Sequence, residues 1–222
     1  MTRYVLGCLL LVTFSASAQV PGVSVEFGVQ GNVISSNINA TLRQAAGIPA
    51  PTGTYELALE QVYGLGLGGG VHLDVALGIL SFRLYGDYVT LSPDKDKFAN
   101  AVSSYFPGAS IEFVEGGRIE IFSGNLNLKL VILPLPVVKP YLTGGGGLAH
   151  VKTTPAKLVF AGNPLPEFEI LKAQTVGTFN VGAGVDLEIG PLALFGELKV
   201  NWLFIEEGTS TYIPVGTIGI TF

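Results

Sequence analysis

From about residue 19 onward, hydrophobic and polar residues alternate with a period of two, the spacing of β-strands whose two faces meet different environments. Val23, Val25, Phe27 and Val29 alternate with Ser24, Glu26, Gly28 and Gln30, which predicts a first strand over about 23–34. A second ends at Leu77, with Leu67, Gly69, Val71, Leu73 and Val75 on one face and Gly68, Gly70, His72 and Asp74 on the other. A third carries Leu80, Phe82, Leu84, Gly86 and Tyr88 against Ser81, Arg83, Tyr85 and Asp87. A fourth sets Leu126, Leu128 and Leu130 against Asn125, Asn127 and Lys129, and a fifth starts at Lys139-Pro140-Tyr141 and runs through Gly144 to Gly147. The sixth places Phe179, Val181, Ala183, Val185 and Leu187 opposite Asn180, Gly182, Gly184, Asp186 and Glu188. The seventh holds Leu194, Gly196, Leu198, Val200 and Trp202 opposite Glu197, Lys199 and Asn201. The eighth has Tyr212, Gly216, Ile218, Ile220 and Phe222 against Thr217, Gly219 and Thr221.

Two stretches resist this parity. Arg118 and Glu120 share the face of Leu126, so either they lie beyond the apolar zone or a bulge near Ser123-Gly124 resets the pattern. In the fifth strand the glycine run erases the face assignment. The long links are not featureless. Ser92-Pro93-Asp94 resembles a cap followed by proline at the first helical position, predicting a short helix to about Ser104, and Asn39 to Ala46 suggests another turn of helix.

The links also segregate by length. Those after strands one, three and five are long, at about 35–58, 91–116 and 153–173. Those after strands two, four and six are short, at Gly78, Pro134-Pro136 and Gly190-Pro191, and the last link, near Glu206-Gly208, is short as well. Long loops at one end and tight turns at the other is the arrangement of outer-membrane barrels, and an even strand number puts both termini on the short-turn, periplasmic side.

Composition narrows the environment. Hydrophobic residues make up 48% of the 222 and charged residues only 13%, against about 25% charged in ordinary soluble domains. That is too little charge to cover a soluble surface, yet no apolar run approaches the roughly 20 residues of a spanning helix. A closed barrel is the other way to satisfy every backbone group in lipid. The N-terminus reads as a cleaved export signal over 1–18: Met1-Thr2-Arg3, an apolar run from Tyr4 to Phe14, then Ser15-Ala16-Ser17-Ala18. Cleavage there leaves residues 19–222 as the barrel domain. It removes the single cysteine, Cys8, and one positive charge, so the mature balance is 11 basic (12 − 1) to 17 acidic residues, or −6. There is no basic stripe, which argues against nucleic-acid binding.

The aromatics agree with a bilayer. Tyr88, Phe179, Trp202 and Tyr212 fall on apolar faces toward the outer rim, and Phe82, Phe222 and Tyr141 at the height of the periplasmic rim. Two such girdles mark the two membrane interfaces. The run Lys139-Pro140-Tyr141-Leu142 into Gly144–Gly147, the segment Phe179-Asn180-Val181-Gly182-Ala183-Gly184-Val185-Asp186-Leu187, and the ending Ile213-Pro214-Val215-Gly216-Thr217-Ile218-Gly219-Ile220-Thr221-Phe222 resemble the small outer-membrane barrels of the OmpA, OmpX and OmpW type. The resemblance implies an all-β, closed, antiparallel eight-stranded transmembrane barrel in the bacterial outer membrane, partnered by outer-membrane lipid. It also implies that the C-terminal strand is read by the barrel-insertion machinery.

An eight-stranded barrel is just wide enough for side chains to fill it. The expected inner face carries Glu26, Asp74, Asp87, Asp186, Glu188 and Glu197 against Arg83, Lys129 and Lys199, with His72 nearby. Buried charges have to be paired or hydrated, so this set reads as a polar plug; if it conducts, its acidic excess favours cations. Catalysis finds no support. Lipid A deacylases in related barrels use His-x-Ser, whereas His72 is followed two positions on by Asp74 and His150 by Lys152. Two distant histidines and no mature cysteine make no metal site. Gly64-Leu65-Gly66-Leu67-Gly68-Gly69 matches a dinucleotide fingerprint only formally, because an alternating strand follows it where a helix is required. No cofactor is implied. Three readings stay open: a structural or surface-interaction barrel with long extracellular loops, a narrow channel or carrier for small or apolar molecules as OmpW-like barrels suggest, and an exported soluble lipid-binding barrel with apolar faces inward.

Overall fold

The computed structural model describes residues 22–222 except 36–38, 43–54, 59–61, 104–110, 161, 165, 168, 170 and 205–209. The expected signal peptide, the link near Glu206-Gly208 and part of the suggested helix after Asn39 lie outside the described residues. The strands are β1 (Val23–Ser35), β2 (Asn39–Leu42), β3 (Tyr55–Ala58), β4 (Leu65–Leu77), β5 (Leu80–Leu91), β6 (Ile111–Glu115), β7 (Ile119–Val131), β8 (Val138–Thr153), β9 (Lys157–Phe160), β10 (Asn163–Pro164), β11 (Gln174–Ile189), β12 (Leu192–Phe204) and β13 (Ser210–Thr221). One helix, α1, spans Lys95–Ser103.

Eight of the strands close on themselves in the order β1-β13-β12-β11-β8-β7-β5-β4, with β4 pairing back to β1 and all pairs antiparallel. They correspond one to one with the eight alternating segments of the sequence. The outward positions are the Val, Leu, Ile and Phe of each segment, and Leu198 and Ile218 are each 74% exposed. Exposure of that kind over a whole sheet is untenable in water and expected in hydrocarbon. On β8 the outward apolar run from Val138 to Leu148 covers ten steps. At about 3.3 Å per step and a tilt of about 40°, that is roughly the 25 Å height of a membrane-facing apolar band. No described helix is long and apolar enough to cross a membrane.

Gly78 and Gly190, both at positive φ, make the two tightest turns at the periplasmic end. The third turn, 132–137, is held by the Ile132 N–H on Pro140 O and the Glu188 N–H on Val137 O. β7 runs through Ser123-Gly124 in unbroken register, so no bulge resets it; Arg118 and Glu120 keep the outward face and lie at its outer end. The helix begins two residues later than a Ser92 cap suggests. Asp94 is its cap, its Oδ1 accepting the Lys97 N–H at 3.1 Å, and Pro93 lies just outside. Asn39–Leu42 is a strand paired with Tyr55–Ala58, correcting the helical reading there.

Curvature explains many of the inward glycines. On a small barrel the inward Cβ atoms converge, and a side chain at some positions would strike the next strand. A Cβ on Gly147 would lie 2.0 Å from Gly124 O and 2.7 Å from Asn125 Cα, while one on outward-facing Gly124 meets nothing within 4 Å. Gly147→Val is therefore expected to destabilise the barrel by more than the roughly 1–3 kcal/mol usual for overpacking, because backbone has to move. Gly124→Val should be tolerated. The check is the heat-sensitive mobility shift of the folded band in gel electrophoresis, which Gly147→Val should lose and Gly124→Val should keep.

Candidate functional site in the barrel lumen

The inward parity of five strands brings distant charges to one level. Arg83 on β5 forks onto Asp74 on β4, Nε to Oδ1 and Nη2 to Oδ2, both at 2.7 Å. Its Nη1 lies 3.7 Å from Glu197 Oε2 on β12. Lys129 on β7 reaches Asp186 on β11 at 2.7 Å and lies 4.0 Å from Asp74. Lys199 on β12 lies 3.5 Å from Glu197 Oε1. This central group of Asp74, Arg83, Lys129, Asp186, Glu197 and Lys199 holds three acids and three bases, so it is neutral as a unit. Each cation also lies over an aromatic face: Arg83 over Phe195 at 4.9 Å, Lys129 over Tyr141 at 4.2 Å and Lys199 over Tyr85 at 4.2 Å. Planar fork, carboxylates and ring faces thus pack together, buried in the lumen.

The other expected lumen residues surround this group. His72 is buried, its Nε2 3.1 Å from Thr221 Oγ1 and its ring edge-on to Phe195. Asp87 lies one level outward and accepts amide hydrogen bonds from Gln30 and Asn32, both at 2.6 Å. Asn127 and Asn180 exchange amide hydrogen bonds across the barrel at 2.7 and 3.2 Å. Glu188 lies toward the periplasmic end, paired with Lys139. Glu26 is half-buried at that end and accepts from Ser24.

Three features depart from the sequence reading. Tyr141 was expected at the periplasmic interface but is buried in the lumen, its hydroxyl donating to Glu197 Oε2 at 3.1 Å. The other expected girdle residues face outward: Phe82 and Phe222 at the periplasmic end, and Tyr88, Phe179, Trp202 and Tyr212 at the outer end. Phe122 stacks on Tyr88 with centroids 4.4 Å apart and joins that outer ring. Secondly, Lys139 faces inward and adds a fourth lumen base. The same strand hid both residues, because the four glycines after Thr143 carry no polar or apolar label from which to count parity. The charge tally of the named lumen residues becomes six acids to four bases.

Thirdly, the polar character stops halfway up. Ile34, Val89, Leu91, Ile119, Ile121, Ala149, Val151, Val176, Leu203, Ile213 and Val215 occupy inward positions on the outer half and are buried. The sequence did carry a signal. Val89 and Leu91 continue the face of Asp87, and Ile119 and Ile121 that of Ser123, so both faces turn apolar toward the outer end. This apolar layer continues into the loops, where Val62, Phe98, Phe113, Ala156 and Leu158 are buried against it. Phe98 of α1 packs on Phe113 of β6 at 4.8 Å, and β6, β9 and β10 form their own sheet. The Tyr63 hydroxyl donates to Gly117 O, and its burial pushes its pKa up. On the rim of the cap, Lys157 hydrogen-bonds Glu115 and holds that carboxyl below its usual range. Between plug and cap lies a cavity of about 30 Å³ lined by Asn32, Asp87, Lys199 and Asn201 below and aliphatic side chains above. That is room for one or two waters.

No protein-family model matches this chain. No curated protein matches it either. Among solved structures it is similar to Neisserial surface protein A, with a TM-score of 0.51 at 13% identity, covering 90% of this chain and 97% of that one. It is also similar to the N-terminal β-barrel domain of Pseudomonas aeruginosa OprF, with a TM-score of 0.40 at 15% identity, covering 90% and 98%. The first likeness shows the fold: this chain is a closed eight-stranded barrel of the outer-membrane type.

The plug makes a sign-definite prediction. Arg83→Met strands Asp74 without its bidentate partner, and removal of one member of a buried ion pair costs about 3–5 kcal/mol. Asp74→Leu combined with Arg83→Met removes both charges and should recover most of that loss. Equilibrium urea unfolding in lipid vesicles, read by tryptophan fluorescence, measures both; a double variant no better than the single one contradicts the pairing.

Proposed function

We propose that this chain is a non-conducting outer-membrane barrel whose work is done at its extracellular end, as a structural or surface-interaction protein. One observation supports this reading: six buried lumen charges pair among themselves, Arg83 with Asp74, Lys129 with Asp186 and Lys199 with Glu197. Ions crossing would have to separate Arg83 from Asp74 and Lys129 from Asp186, in a site where attraction between charges is far stronger than in water. The expected preference for cations weakens as well, because the central group is neutral and Asp87 is held by the amide donors of Gln30 and Asn32.

The extracellular end supports the same reading from the other side. Segments between the barrel strands build a helix, a three-stranded sheet and a shared apolar core. Such a core holds a defined surface above the membrane. A carrier for small apolar molecules draws some support from the aliphatic outer lumen and its cavity, but the plug beneath offers an apolar cargo no onward route. The paired histidine and serine of an acyl hydrolase have no counterpart in the two histidines. His72 is inside the plug, and His150 lies on the outer rim with its Nδ1 3.0 Å from Thr175 Oγ1.

Two measurements test the proposal. In planar bilayers the protein should give no steady single-channel steps, and Lys129→Ala together with Arg83→Ala should open a leak; well-defined conductance from the unaltered protein would contradict a closed plug. Phe98→Ala should loosen the cap by about 3–5 kcal/mol, the usual loss for a buried aromatic. Limited proteolysis should then cut the loops faster while leaving the barrel fragment resistant.

A further inference from the structure

The outer rim of the barrel is not uniform. On β12, β13, β1 and β4 the outward residues at this level are Trp202, Phe204, Tyr212, Val33, Leu65 and Leu67, with no charge among them. On the adjoining β5, β7, β8 and β11 the outward ladder ends in Thr90, Glu120, Lys152, His150 and Thr175, with Arg118 one step above Glu120. Arg118 is fixed there by its backbone, its N–H on Thr154 Oγ1 and its carbonyl accepting the Thr154 N–H, both at 2.9 Å. Lys152 lies 2.9 Å from Glu120 and 5.9 Å above the Phe122 ring. The Arg118 guanidinium has no acceptor among the described residues. Two fixed cations and one carboxylate leave a net positive site, with the imidazole of His150 beside it.

What lies directly beneath is also particular to this side. Tyr88 and Phe122 form a stacked pair one level down. Below them Gly86 and Gly124 are cross-strand neighbours, and Gly146 follows on β8 beside Leu126. A Cβ on Gly124 would meet nothing within 4 Å, and one on Gly86 only Ser123 O at 3.9 Å. The outward face is therefore shallow between Leu84, Leu126 and Leu148, and the Tyr88–Phe122 pair separates this trough from the cationic cluster one level above it.

We propose that this face binds one phosphorylated lipid of the outer leaflet, its phosphate on Arg118 and Lys152 and an acyl chain in the glycine trough. The argument is complementarity at two heights. The charges lie just above the apolar band, where lipid phosphates lie, and planar guanidinium with ammonium is the donor set that suits phosphate oxygens. The trough continues the surface that already faces hydrocarbon. Glu120 opposes the phosphate and also holds Lys152 in place. This proposal rests on the outer-membrane reading; recovery of the protein in the soluble fraction of cells would refute that reading separately.

The test uses the whole barrel refolded in dodecyl maltoside and native mass spectrometry. The probes are dimyristoyl phosphatidic acid, the matching diacylglycerol without phosphate, and inorganic phosphate. One phosphatidic acid should be retained per barrel, and diacylglycerol at least tenfold less. Arg118→Ala with Lys152→Ala should cut retention by about tenfold, the effect of losing a charge-assisted hydrogen bond. Glu120→Gln should raise it severalfold, which no general loss of folding could do. Lys157→Ala, an equal charge change in the loop cap, should leave it unchanged. The proposal is overturned if diacylglycerol is retained as well as phosphatidic acid, if retention ignores the double variant, or if inorganic phosphate displaces the lipid at equal concentration.

Discussion

Hydrocarbon offers a backbone no hydrogen bonds, and the rest of this structure follows from that constraint. A strand in lipid with an unpaired edge leaves a row of N–H and C=O groups unsatisfied, each at several kcal/mol. Eight strands joined from β1 round to β4 remove both edges at once. Closure at that size also makes a narrow interior. Glycines then become necessary where a Cβ would strike the next strand, as at Gly147, and every polar side chain that points inward has to find a partner inside.

The interior meets most of that demand by pairing; His72 Nδ1, the Tyr85 hydroxyl and Asn201 Oδ1 are buried without a hydrogen-bond partner among the described residues. The charges come from strands far apart in sequence, and their mutual arrangement leaves a neutral group whose cations also rest on aromatic faces. Breaking such a group is costly and forming it adds little net stability over a well-packed apolar core. What it adds is a specific packing of the lumen side chains. A barrel with a dry aliphatic interior throughout would close equally well, so the polar plug is a choice of this sequence rather than a requirement of the fold. Above the plug the chain makes the opposite choice. The outer lumen is aliphatic and merges with the loop core, so the loop cap is attached to the barrel by buried side chains as well as by its strands.

The outer surface shows the same economy of means. The belt facing acyl chains is apolar, and at its upper border the outward charges of the described barrel strands gather on β7 and β8. Height in the bilayer and position around the barrel are thus separate variables, and strand register combines them: the pairing that sets Glu120 beside Lys152 also sets Phe122 beside His150 one level down.

The alternation of Val, Leu and Phe with Asn, Asp, Lys and Gly determined by itself that this chain makes eight strands with one face in hydrocarbon, because a period of two is visible within each strand and needs no knowledge of its neighbours. Link lengths added that the long connections gather at one end of the barrel. Parity failed only where side chains could not report it. The glycine run of β8 hid the inward direction of Lys139 and Tyr141. Which charge meets which was decided by tertiary structure alone. Arg83 finds Asp74 nine positions away, but Lys129 finds Asp186 and Tyr141 finds Glu197 only when closure and register set four separate strands at one level, and nothing in the local sequence encodes that distance.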